Sequence, residues 1–410
     1  MTVAPPSDAP SPGSRRALAL LALALVLSMT TWFSASAVIP QLRATWHLTT
    51  TTGAWLTIAV QLGFVAGALL ASVLSLADVL PPRLVLLGGS AGAAGANALL
   101  AVAGGAGAAV PLRFATGFFL AGVYPPALKL MSTWFRAGRG TALGILVGAL
   151  TVGSAAPHLV NGLGGLDWRV VVYATSALTL AGGLVAYLGV PDGPFPFPRA
   201  SFDPRKARLV FANRGVRLAS LGYFGHMWEL YAMWAWFLVF FTDFLGRQEA
   251  GDHGSAAAYA TFAVIAAGGL GCWAGGILGD RWGRTATTAA MMAASGTCAV
   301  AVGLLLDAPT WLLLGVGLVW GFTVVADSAQ FSTIVTELAD QAYVGTALTL
   351  QLAAGFTLTV ATIWLVPVLE SAVGWRWAFA FLAPGPALGL LAMLRLHSLP
   401  EAEAIAHGRR

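Results

Sequence analysis

The sequence predicts an all-α membrane protein with twelve transmembrane helices arranged as two six-helix, pseudo-symmetric bundles. Three observations predict it. Of 410 residues, 58% are hydrophobic and only 10% charged, whereas about a quarter of a soluble domain is charged. Twelve apolar runs of about 20 residues follow one another, the length that crosses a hydrocarbon core about 30 Å thick. The second half of the chain also repeats the first at a nearly constant spacing.

The N-terminal MTVAPPSDAPSPGS is rich in Pro, Ser and Ala, and residues 1–16 read as a disordered tail. Arg15 and Arg16 precede the first apolar run. That run exceeds the usual signal-peptide core of about 7–15 residues and similar runs follow, so it reads as a retained span. The spans are placed at 17–40, 52–75, 83–104, 109–132, 141–163 and 168–190, then at 216–241, 256–278, 286–306, 310–333, 344–368 and 376–396. Residues 17–190 form the first bundle and 216–396 the second. The stretch between them, PDGPFPFPRASFDPRKARLVFANRG (191–215), is Pro-rich and basic. It reads as a solvated linker in preference to a surface helix around 204–215. Residues 397–410 form a closing tail. Cys272 and Cys298 lie inside apolar runs and read as free thiols.

Lys and Arg placement sets orientation. With the N-terminus cytoplasmic, 16 of the 22 fall on cytoplasmic segments, four on the other side (Arg43, Arg169, Arg247, Arg376), and Arg113 and Lys129 within a span. This predicts a multi-pass protein of a bacterial cytoplasmic (inner) membrane with both termini inside. The net charge of +5 is thereby explained by topology, without a nucleic-acid partner. No Gly-x-x-x-x-Gly-Lys-Ser/Thr loop is present, and His226-x-x-Glu229 is not the zinc pattern His-Glu-x-x-His. The reading is therefore not an enzyme: no cofactor, no resident metal, and a monomer whose partners are the bilayer, protons and a small-molecule substrate.

The repeat has three echoes. Gly-Thr-Ala-Leu recurs from 140–143 to 345–348, LDWRVVVYATSALTLAGGL (166–184) aligns with VGWRWAFAFLAPGPALGLL (373–391), and SLADVLPPR (75–83) aligns with ILGDRWGRT (277–285). Six plus six spans in parallel orientation place a central cavity between the halves.

GILGDRWGR (276–284) resembles the loop signature Gly-x-Leu-Ala-Asp-Arg-x-Gly-Arg of the major facilitator superfamily at Gly276, Asp280, Arg281, Gly283 and Arg284. Its first-half copy keeps Asp78 and Arg83 but departs at Val79, Pro81 and Pro82. RFATGFFLAG (113–122) is similar to the family's fourth-span Arg-x-x-x-Gly motif, and GILVGALTVGSAAP (144–157) is loosely similar to its Gly-rich fifth span. YPPALKLMSTWF followed by RAGRGTALGILVG resembles the nitrate/nitrite porter and cyanate-permease neighbourhood. Nitrate porters carry a substrate arginine in the second and eighth spans. Residues 52–75 and 256–278 contain no charge, so nitrate is excluded. The resemblance implies the major facilitator fold and a secondary active transporter whose first, fourth, seventh and tenth spans line the cavity.

A charge inside the bilayer is costly and therefore a functional candidate. Glu229 lies about 13 residues, or about 20 Å, into its span. Tyr223, His226, Glu229, Met233 and Trp236 form one stripe, which the resemblance turns toward the cavity; Trp228 and Trp234 point elsewhere. Glu229 and His226 then read as a proton relay or as a fixed structural pair. Asp327, sharing a face with Thr323 and Gln330, is a second proton carrier or a polar clamp. Arg113 binds an anion or pins its helix to a carbonyl or headgroup. Lys129 snorkels or binds substrate. The substrate-binding candidates are Arg113, Tyr124 (before the Pro125-Pro126 kink), His158, Tyr223, Trp236, Gln330, Gln351 and Trp32, with Ser36 and Gln61 as further polar positions. Asp280, Arg281, Arg284, Asp78 and Arg83 are expected to latch one conformational state, Asp280 through a helix N-terminus. The expected function is alternating-access transport of a small, anionic solute coupled to protons. The alternatives are a drug/proton antiporter, in which Trp228, Trp234 and Trp236 stack on a lipophilic cation and Glu229 exchanges the proton, and a metal-ion exporter.

Overall fold

Eleven helices are long and apolar enough to cross a membrane: Ser14–Thr31, Thr50–Val73, Pro82–Val102, Ala106–Ser132, Gly140–Gly162, Trp168–Gly189, Gly254–Trp282, Arg284–Leu304, Thr310–Leu338, Val344–Val373 and Trp375–His397. The seventh in chain order, Arg214–Gln248, is the longest at 35 residues. It falls outside the eleven because His226, Glu229 and Asp243 dilute its apolar character. The computed structural model describes residues 12–135, 139–164, 167–195, 203–248, 251–340 and 344–408. Successive spans are antiparallel, and their even number brings the start of the first span and the end of the twelfth to one face, here the terminal face.

Local chemistry sets where the spans start and break. The Thr49 hydroxyl accepts from Thr52 N–H at 3.1 Å and caps the second span; Asp167 accepts from Arg169 N–H at 2.8 Å and caps the sixth. Four spans are interrupted, the twelfth by a 3₁₀ turn at Ala380–Leu382. The first leaves α-helix at Ser28, passes through a 3₁₀ turn at Met29–Thr31 and resumes at Ser34. The fourth breaks between Leu120 and Tyr124, ahead of its Pro pair. The tenth breaks at Asp327.

Packing repeats between halves. The second span packs on the fourth as the eighth does on the tenth, and the sixth packs on the first and third as the twelfth does on the seventh and ninth. The halves meet where the fifth span lies on the eighth and the second on the eleventh, two contacts that a twofold axis exchanges. Glycines give the register. A Cβ at Gly67 would strike the Phe118 carbonyl and one at Gly271 the Phe322 carbonyl; Gly117 meets Val60 and Gly321 meets Val264 in the same way. Each of these four position pairs is separated by 204 residues, so the echoes read at 202 to 207 converge on one structural offset. Small residues permit this close approach.

Two readings, of the central linker and of the closing tail, are corrected. Part of the central linker is a helix, Ala207–Ala212. Its Val210 is buried with Val216, Ile334 and Val335, because the segment has an apolar side to cover. The closing tail also docks: Pro400–Gly408 forms a 3₁₀ helix, Ala402 and Ile405 are buried, and Ala406 N–H donates to Glu337 Oε2 at 3.2 Å.

Candidate functional site

Six aromatic side chains meet between the halves. Trp32 and Phe33 come from the first span, Phe64 from the second, Tyr231 and Trp234 from the seventh, and Phe356 from the eleventh. Trp32 stacks on Tyr231 at 5.9 Å and lies 4.9 Å from Phe64 and 5.7 Å from Phe356, centroid to centroid. Phe64 and Phe356 are 4.7 Å apart, and Phe33 meets Trp234 edge-on at 5.8 Å. All six are buried.

Polar side chains accompany them. Ser36 and Thr57 hydroxyls are 2.7 Å apart. Gln61 lies one turn from Thr57 and one from Phe64, on the same helix face. His158 lies two turns from Thr151, which touches Cys272 of the eighth span at 4.0 Å. Both polar atoms of Gln61, both ring nitrogens of His158, and the indole nitrogens of Trp32 and Trp234 are buried without a partner.

The acids lie elsewhere. Glu229 turns into its own half, where Trp320 Nε1–H donates to Oε1 at 2.7 Å and Ser295 Oγ–H to Oε2 at 2.9 Å. His226 Nδ1 lies 2.8 Å from Asp327 Oδ1, close enough for an ion pair but out of line for a hydrogen bond. The expected His226–Glu229 pair is therefore corrected. The two side chains share a face, but each finds its partner on the tenth span, His226 at Asp327 and Glu229 at Trp320. The expected orientation of the stripe is corrected with it. Tyr231 and Trp234 face the other half, while Glu229 and Trp236 face inward; Trp236 Nε1–H donates to Ile363 O at 2.9 Å. A buried carboxyl needs donors, and its own bundle supplies them. Among the described residues, no three His, Cys, Asp or Glu side chains are grouped to hold a metal ion.

Arg113 is fully buried and its guanidinium is committed. It donates to Leu56 O at 3.1 Å, Thr31 O at 2.9 Å, Ser34 Oγ at 3.1 Å and Asn97 Oδ1 at 3.0 Å, and to Trp32 O. The break in the first span frees the Thr31 and Trp32 carbonyls, and the arginine fork fills them. Of the two roles expected for Arg113, this is the pinning one. Gln330 is likewise tied within its half, donating to Gly275 O and accepting from Arg284, both at 3.1 Å. Gln351 reaches Ser220 at 3.5 Å. Tyr223 stacks on His226 with centroids 6.1 Å apart. Tyr124, half-buried, packs against the main hydrophobic core.

At the terminal face, the Asp280 carboxylate sits at the start of the fifth span. Its oxygens are 3.1 and 3.2 Å from where a side chain on Gly140 would begin. Gly283 takes φ 97°, a turn that suits glycine. Arg284 next to it reaches both oxygens of Glu337 at 3.0 to 3.2 Å and Asp280 at 3.5 Å. Arg281 is exposed. Arg83 instead lies over the Tyr187 ring at 5.9 Å. The Asp78 side chain lies outside the described residues. Opposite Asp280, at the other end of the same seam, Gly162 abuts Tyr259. The fifth and eighth spans thus touch along their length.

The model of one family, the Major Facilitator Superfamily, matches residues 21–361. A bacterial homolog to the human lysosomal transporter Spinster, solved in an inward-facing and unoccupied conformation, is similar in fold. Its TM-score is 0.65 at 14% sequence identity, covering 97% of this chain and 98% of that one. No curated protein matches the chain. The match is to the superfamily as a whole; the narrower likeness to nitrate and cyanate porters is not among these findings.

Proposed function

The chain belongs to the Major Facilitator Superfamily, a family of secondary transporters, and on that premise we propose that it couples the movement of an organic solute to protons. The observation that carries this is the pair of carboxyl sites buried on the seventh and tenth spans, Glu229 and Asp327. Glu229 has only neutral hydrogen-bond partners, Trp320 and Ser295. A serine hydroxyl donates to a carboxylate and accepts from a carboxylic acid. Both protonation states of Glu229 therefore keep a full set of bonds, as a proton carrier requires. A carboxyl group changes its proton occupancy when its access to water changes, and alternating access changes it on every cycle. His226 beside Asp327 supplies a second exchangeable site.

Cargo recognition is placed at the aromatic cluster between the halves. The expectation of an anionic cargo drew on Arg113, Lys129 and the histidines, and the Arg113 donors are taken by the first bundle. The Lys/Arg asymmetry supports termini on the cytoplasmic side, and Asp280 against the fifth span supports a latch on that face.

The test uses proteoliposomes and a solute found by thermal-shift screening, with exchange and pH-driven uptake measured in the same vesicles. One pH unit sustains up to about tenfold accumulation per proton. Glu229→Gln keeps the acceptor for Trp320 and offers Ser295 a donor, so exchange should persist while accumulation falls to equilibrium. Full accumulation by both Glu229→Gln and Asp327→Asn would end the proton reading.

A further inference from the structure

Among the described residues, four indole N–H groups find an acceptor and two are buried without one. Trp134 donates to Pro191 O at 3.1 Å, Trp228 to Phe381 O at 3.3 Å, Trp236 to Ile363 O at 2.9 Å and Trp320 to Glu229 at 2.7 Å. Trp32 and Trp234, 1% and 0% exposed, have no acceptor. These two are the ones that lie in the cluster between the halves. Leaving a buried donor unpaired costs about 1–3 kcal/mol, and this chain does so twice in one place.

The internal repeat supplies a control. Trp32-Phe33 and Trp236-Phe237 are related by the same offset of 204 residues that relates the glycine contacts. In the second half, that tryptophan ties the seventh span to the eleventh. In the first half, the equivalent indole ties nothing. Its place is held instead from the backbone side, where Arg113 grips the Trp32 carbonyl. The first tryptophan is thus fixed in position while its donor stays unused. Gln61 and His158 add two further unpartnered polar ends, both 0% exposed.

Charge narrows the ligand further. Arg113 is committed, Glu229 faces the ninth and tenth spans, and Asp327 sits beside His226. Lys129 has its own contact. An ion of either sign placed among the six rings would lose water without gaining a free counter-ion, a loss of several kcal/mol that the attraction of a cation to ring faces, about 0.5–2 kcal/mol, does not offset. Indole nitrogens only donate, so the ligand must accept. The six rings lie in mutual contact, 4.7 to 6.2 Å between centroids, so a solute enters as the halves part, and the freed ring faces receive a flat body best.

Resting on the transporter reading above, we propose that the cluster of Trp32, Phe33, Phe64, Tyr231, Trp234 and Phe356 is the binding site for an uncharged, planar organic solute with hydrogen-bond acceptors. Trp32 and Trp234 donate to those acceptors, and Gln61 and His158 supply the remaining polar contacts.

The experiment measures equilibrium binding to the full chain in nanodiscs. The probe is caffeine, which is planar, uncharged and equipped with carbonyl acceptors. 1-Methylquinolinium is the planar cation without an acceptor, and 1,3-dimethylurate the planar anion. Caffeine should bind saturably and at least about tenfold more tightly than either charged probe. Trp32→Phe and Trp234→Phe keep a ring and delete the donor, so each should weaken caffeine about two- to tenfold, the equivalent of one hydrogen bond. Trp236→Phe should leave it within about twofold. The ranking of probes on the unsubstituted chain needs no variant to fold. Absence of saturable caffeine binding, equal or tighter binding of a charged probe, or unchanged affinity in both Phe variants overturns the proposal. If a screened solute accumulates against its gradient while caffeine fails to bind, the cargo class is wrong and the transporter reading stands. If caffeine binds as stated but Glu229→Gln and Asp327→Asn both still accumulate solute fully, the proton reading fails alone.

Discussion

Replacing Asp280 by Asn removes one charge from the contact between the end of the eighth span and the start of the fifth. The first amides of a helix lack intrahelical acceptors and carry partial positive charge. The Asp280 carboxylate lies against Gly140, at the start of the fifth span. A carboxylate in that position stabilises by about 0.3–1 kcal/mol, more when buried. The Asp280 side chain is 42% exposed, so solvent screening keeps the contribution within about 0.3–1 kcal/mol. The turn should survive, because Arg284 keeps Glu337 and Gln330. Losing that contribution multiplies the population with an open terminal face by about two to five. Spin labels at Leu74 and Trp282, both exposed and on different halves, report the opening by pulsed dipolar spectroscopy; the native cysteines are buried. At about 1 M salt the Debye length falls to about 3 Å, and the difference between wild type and variant should narrow. An unaltered distance distribution would refute the latch. A shift of equal size at high salt would show that the contact is not electrostatic.

Arg113→Lys should lower thermal stability by about 2–5 kcal/mol, because a point ammonium cannot serve the acceptors that the fork holds and stranded carbonyls cost about 1–3 kcal/mol each. A direct substrate role predicts the reverse pattern in paired unfolding and binding measurements: lost solute affinity at unchanged stability. Gly117→Ala and Gly321→Ala should each abolish folded protein on size-exclusion chromatography, since the added carbon meets the Val60 or Val264 carbonyl. Gly95→Ala, with nothing within 4 Å, should instead gain about 0.5–1 kcal/mol.

The spans were legible because crossing a bilayer demands a run of apolar residues that leaves little ambiguity. The seventh shows the limit: it carries enough polarity to dilute that signal, and its boundaries came from the residues on either side. The repeat was legible too, although the three echoes scatter in offset while the glycine contacts agree on one. Glycine records where backbones touch, and loops of unequal length blur everything between.

The aromatic site was harder to read. Trp32 was among the expected residues and Trp234 was named only for the lipophilic-cation alternative, but Phe33, Phe64, Tyr231 and Phe356 were not expected. Their one available signal was the recurrence of Trp-Phe at 32–33 and 236–237. Ser295 and Trp320 were missed for a different reason: a serine or tryptophan in an apolar run looks like packing until an acid is placed beside it.

The sequence by itself determined the membrane class, the twelve spans, the twofold repeat and the identity of the buried acids, since each follows from composition and periodicity along one chain. Only the tertiary structure decided which side of the seventh helix faces the partner half. Helical spacing groups Glu229 with His226 and Trp236 but says nothing of what lies opposite them. The donors on the ninth and tenth spans turned that stripe inward, because a buried carboxyl group needs hydrogen bonds, and the two tryptophans without partners were left at the seam.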